Sequence, residues 1–96
     1  MIATATILTV ARAEALFTSR LDTGSRPSYD IVEDAIRVAV RAHHGVRGCA
    51  VDVAGEYGDH PETAAPRMRW ARHVVEEVYE ARRPPQPPSL RVVARR

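Results

Sequence analysis

Apolar residues recur along this chain at three- and four-residue intervals from about Thr9 to Arg83 and almost nowhere at intervals of two, so helices are what can bury them. Glycine, proline and serine mark the joints. Thr9 is a candidate cap for a first helix running to about Leu21, with Val10, Ala13, Leu16, Phe17 and Leu21 on one stripe. The segment before it, Ile2 to Leu8, reads at most as a frayed strand. Asp22 to Pro27 is a loop by composition. Ser28 caps a second helix whose buried stripe is Ile31, Ala35, Ile36, Ala39 and Ala42, and Gly45 stops it. Arg41, His43 and His44 sit in its last turn, where cations complement the helix dipole.

A third, short helix spans about Cys49 to Tyr57, with Cys49, Ala50, Val53, Ala54 and Tyr57 inward and Gly58 as its stop. The next start is a fork. With Asp59 as the cap, Glu62 completes a capping box but Pro66 falls inside the helix, at a cost of about 3 kcal/mol. With Thr63 as the cap, Pro66 sits in the tolerant first turn. The second start, or a short 59–64 turn leading into the main helix, is the preferred reading. From Arg67 to Arg83 one half of the wheel holds Met68, Ala71, Val74, Val75, Val78 and Ala81, flanked by Trp70 and Tyr79. Arg69, Arg72, His73, Glu76 and Glu80 occupy the other half. The expected fold is therefore all-α, a compact bundle of three to four helices in a single domain, 1–83. Pro84-Pro85-Gln86-Pro87-Pro88 ends regular structure, and 84–96 is expected to be a disordered, Pro/Arg-rich basic tail.

The formal charge of +2 is unevenly spread. All twelve acids lie in residues 1–83, where eleven arginines leave a net of −1; the surplus is Arg91, Arg95 and Arg96. Nucleic acid could be held only by local clusters, not by bulk charge. A single cysteine, Cys49, permits no disulfide within the chain and points to the cytoplasm. The apolar opening to Val10 lacks the basic start of a secretion signal, and no run approaches the roughly 18 apolar residues of a membrane span.

Ala54 and Gly58 stand where a helix-turn-helix places a small residue in its first helix and a glycine at the turn, with Gly58-Asp59-His60 as that turn. Residues 49–73 resemble such a unit, although Arg67 fills a position that is usually apolar and Pro66 interrupts the second helix. The second helix would offer Arg67, Arg69, Arg72 and His73 to phosphates or guanine edges, with Arg41 and Arg47 as further cations. Over Gly45–Arg72, GVRGCAVDVAGEYGDHPETAAPRMRWAR, the chain is similar to a recurring type of small actinobacterial protein. The fourteen arginines with no lysine and no asparagine agree with a GC-rich genome. That resemblance implies a compact helical fold and an intracellular setting; it brings no catalytic residue and no ligand.

His43, His44, Cys49 and His60 lie within eighteen positions, but paired ligand spacing is missing and adjacent histidines diverge by about 100° on a helix, so no metal is expected. Cys49 follows Gly48 near a helix start beside Arg47, a setting open to a reactive thiol; a small core residue is the preferred reading. Glu76 and Glu77 answer Arg72 and His73 as ordinary i,i+4 pairs. Arg82, Pro85 and Pro88 match a groove-docking spacing, though a solvated linker is the plainer account.

No nucleophile with a base, no cofactor motif and no small-molecule site is readable, so the chain is expected not to be an enzyme. Two partner classes remain. One is DNA, met by Arg67, Arg69, Arg72, His73, Arg41 and Arg47, in a small regulatory protein. The other is a second copy of the chain, met by the wide apolar face of the last helix at Met68, Trp70, Val74, Val78 and Tyr79.

Overall fold

The computed structural model describes residues 2–81, with side chains from residue 7. It holds four helices, α1 (Ile2–Phe17), α2 (Tyr29–Ala42), α3 (Val46–Asp59) and α4 (Pro61–Glu80), and no strand among the described residues. Neither the tail 84–96 nor its Arg-x-x-Pro-x-x-Pro spacing falls within them. No described helix is long and apolar enough to cross a membrane.

α1 begins seven residues before its expected cap, so Ile2–Leu8 is helical rather than extended. It stops at Phe17 rather than Leu21 because Thr18 Oγ1 and Ser19 Oγ donate back to the carbonyls of Ala15 and Leu16. Ala13, Leu16 and Phe17 are buried as expected, Leu21 packs on the core from the loop, and Val10 is exposed.

α2 starts where the serine predicts: Ser28 is extended, and its hydroxyl accepts from the Ile31 N–H. Its inward face is rotated from the expected stripe. Val32 is fully buried beside Ala39, with Ile36 and Ala35 packed on the core, whereas Ile31 and Ala42 are exposed. The helix closes in a Schellman motif: Gly45 N–H reaches Val40 O at 2.7 Å and His44 N–H reaches Arg41 O. The left-handed residue in that motif is His44, at φ 65°, and Gly45 follows at φ 100°.

α3 is longer at both ends than expected, and Gly58 is inside it. Cys49 and Val53 are buried, but Ala54 and Tyr57 are exposed, the Tyr57 ring lying stacked on Phe17 at 6.4 Å. α4 uses neither expected cap. His60 ends α3 and begins α4, Pro61 takes the first helical position, and Pro66 lies inside a continuous helix. Pro66 and Glu62, whose carbonyl loses its donor, are both exposed, so water meets that carbonyl and the helix survives.

α1 and α4 pack antiparallel along their length, with Phe17 near Arg67 at one end and Arg12 against Tyr79 at the other. The main core joins Ala13, Leu16 and Phe17 to Val32, Val53, Ala64, Ala71, Val74 and Val75. Ala15, Ala39 and Cys49 form a smaller cluster where α1, α2 and α3 meet.

Candidate nucleic-acid interface

The six cations singled out from sequence do not share one fate. Arg41, in the last turn of α2, and Arg47, in the first turn of α3, are exposed on either side of the 43–45 joint. Arg69, Arg72 and His73 are exposed on the middle of α4. Neither Arg41 nor Arg47, Arg69 nor Arg72 meets an acid among the described residues, while His73 lies 4.0 Å from Glu77, which Arg26 also approaches at 4.0 Å.

Arg67 is the correction. It was expected outside among the phosphate contacts, but it turns inward over the end of α1. Its Nε donates to Phe17 O at 2.7 Å, Nη2 to Ser19 O at 2.9 Å and Nη1 to Thr23 Oγ1 at 2.7 Å. The guanidinium also lies 5.0 Å from the Trp70 ring centroid. Half-burial pulls its pKa below the ordinary arginine value, with Asp22 opposing. A five-donor fork on free helix-terminal carbonyls is a C-cap supplied by another helix, and it uses the group that a phosphate would need. Trp70 continues the tie, its indole N–H donating to Ser25 O at 2.8 Å.

The apolar face proposed for a second copy is also taken up within the chain. Trp70 and Val74 are buried in the core, and Met68, Val78 and Tyr79 pack against it. The wide arc of α4 is accounted for by α1, α2 and α3 together. Tyr79 donates to Glu33, meets Tyr29 edge-on at 5.4 Å and carries the Arg12 guanidinium 3.8 Å from its ring centroid. Burial, then the Glu33 carboxylate, hold its phenol above the ordinary value.

The helix-turn-helix expectation loses its turn: Gly58 and Asp59 are helical, and His60 alone separates α3 from α4. Beside that junction lies an open groove of about 800 Å³ between the end of α1, α3 and the start of α4. Asp52, Glu56 and Asp59 of α3 line it, as do Arg20 and Arg67. His43 binds Asp52 through Nδ1, a pairing of α2 with α3 that adjacent-residue spacing did not indicate. Cys49 is fully buried, with Thr18 Oγ1 donating to its sulfur at 3.6 Å, which suits a core residue rather than a nucleophile. Among the described residues no group of three or more histidine, cysteine or acidic side chains is placed to hold a metal ion.

Comparison with protein-family models, with curated proteins and with solved structures finds no match, so the site is read from its own chemistry.

Proposed function

We propose that the protein is a small, non-enzymatic, DNA-associated regulatory protein that works by binding the phosphate backbone. The observation that carries this reading is a group of exposed arginines, Arg41, Arg47, Arg69 and Arg72, with no acid partner among the described residues, although acids outnumber arginines twelve to eleven over residues 1–83. Surface arginines left unpaired beside so many carboxylates are well suited to an anionic partner, whose oxygens their planar forks match two at a time. Arg47 stands at the start of α3, which has no side-chain cap, so its first N–H groups add to a local preference for anions. Glu62, Glu76 and Glu80 share the outer face of α4 with Arg69, which suits shape and backbone contact more than a wide basic footprint. Arg67 has no part in this reading. The setting is the cytoplasm, where a lone thiol such as Cys49 stays reduced.

Fluorescence anisotropy with a labelled duplex tests it. Binding at low salt is expected to weaken steeply as salt rises, with a log–log slope reduced by roughly 0.9 for each phosphate-binding arginine removed. Arg69→Ala with Arg72→Ala is expected to abolish measurable binding while far-UV circular dichroism is unchanged, since both side chains are exposed. Absence of duplex binding even at low salt sinks the proposal.

A further inference from the structure

α2 carries more apolar surface than the other described residues cover. Its inner face is Val32, Ile36 and Ala39, yet Ile31 is 50% exposed and Val38 53%. Ala42 is exposed as well, and Ala35 is only partly covered. These four residues follow spacings of four, three and four, which is the seam of a two-helix coiled contact. At 100° per residue they fall within about 60° of arc, some 100° from the centre of the buried face. Asp30, Asp34, Arg37 and Arg41 border the seam on its outer side, all exposed, with Asp34 and Arg37 already paired along the helix.

We propose that this seam is a homodimer interface in which α2 packs antiparallel against α2 of a second copy about a two-fold axis. The residues complement themselves only in that direction. Centred between Ala35 and Val38, the register sets Ile31 against Ala42 of the second copy and Val38 against Ala35, a large side chain facing a small one at every layer. The same register brings Asp34 within a turn of Arg41 of the second copy, and because the contact is isologous the pair forms twice. A parallel pairing stacks isoleucine on isoleucine and alanine on alanine, leaving gaps at the alanine layers, and puts Asp34 and Arg41 of the two copies on opposite sides of the seam, where no acid meets a base. A second copy is therefore the occupant, and the surface differs from the face of α4, whose apolar side chains the chain uses itself. The two readings share Arg41: in the dimer it answers Asp34 of the second copy, and Arg47, Arg69 and Arg72 are the arginines left for phosphate.

Light scattering on the full chain without DNA, over a range of concentrations, tests it. The expected result is twice the chain mass, falling to the single mass on dilution. Val38→Glu is expected to weaken association more than tenfold while helicity is kept, because Val38 is half exposed in the single copy. Ala42→Glu repeats the test at an exposed position with no packed side chain lost. Asp34→Arg alone and Arg41→Asp alone are each expected to weaken the dimer several-fold, and the two together to restore it. A single-copy mass at the highest soluble concentration overturns the proposal. So does a dimer indifferent to Val38→Glu and Ala42→Glu but lost on Leu8→Glu, which places the contact on the exposed apolar residues of α1. Failure of the double exchange to restore association overturns the antiparallel register.

Discussion

The C-terminus of α2 is closed by the residues that directly follow it, whereas that of α1 is closed by Arg67, fifty positions further on. Both ends face the same physical demand, carbonyls with no donor in their own helix. In α2 the demand is met by His44 and Gly45 turning left-handed and folding their N–H groups back. In α1 the local answer is only partial, since Thr18 and Ser19 hold Ala15 and Leu16, and the Phe17 and Ser19 carbonyls take Arg67 from α4. A local closure survives if the rest of the bundle is altered; a remote one exists only once α1 and α4 have docked. Stability of the α1 end and of the 19–28 loop is therefore tied to global folding, while the α2 end can form early.

The largest effect expected is at the local closure. A Cβ added to Gly48 would lie 1.5 Å from the His43 carbonyl oxygen, an overlap with backbone that no rotamer relieves. Gly48→Ala should cost roughly 4 kcal/mol, at the upper end for overpacking, read as a lower urea midpoint with an unchanged slope. A loss below about 1 kcal/mol would mean that the 43–48 corner is loosely packed.

Next comes the remote closure. Arg67→Met keeps much of the stem and removes the fork, leaving the part-buried Phe17 and Ser19 carbonyls without it; a loss of about 3 kcal/mol is expected, or a Tm lower by more than 10 °C. Arg67→Lys should recover less than half of it, because a point charge cannot serve three diverging acceptors. Equal stability of the lysine variant and the parent would show that charge at the helix end, not the fork, is what matters.

The smallest effect runs the other way. His44 holds a left-handed conformation that glycine adopts freely, so His44→Gly is expected to stabilise the protein by about 1 kcal/mol in thermal melts. Destabilisation would reveal a contact of the imidazole that outweighs its backbone strain.

What was legible divides along the same line. The Ser28 cap, the stop after α2 and the burial of Leu16, Phe17, Val53, Val74 and Val75 follow from period and capping chemistry, which act over a turn or two. The α1 start was missed because Thr9 reads as a cap and the uncharged Ile2–Leu8 offers nothing that marks an earlier start. The α3–α4 joint was missed because Gly58 reads as a stop and Pro66 as a breaker. Yet Pro61 could begin a helix, and Pro66 could be tolerated on a wet face. Val32 displaced Ile31 from the core because the docking angle of α2, not its own period, selects which edge of a wide apolar arc points inward.

The cations divide likewise. That Arg69, Arg72 and His73 lie on the outside of α4 follows from their place on the wheel, opposite Val74 and Val75. That Arg67 does not join them required knowing that the end of α1 arrives beside it. Local rules, acting through neighbours three or four residues apart, were enough to decide that this chain is all-α and to place most of its core. The docking of α4 on α1 alone decided which arginine becomes a cap and which stay free for a partner, because an unsatisfied carbonyl attracts whatever donor the fold brings to it, however distant in the chain.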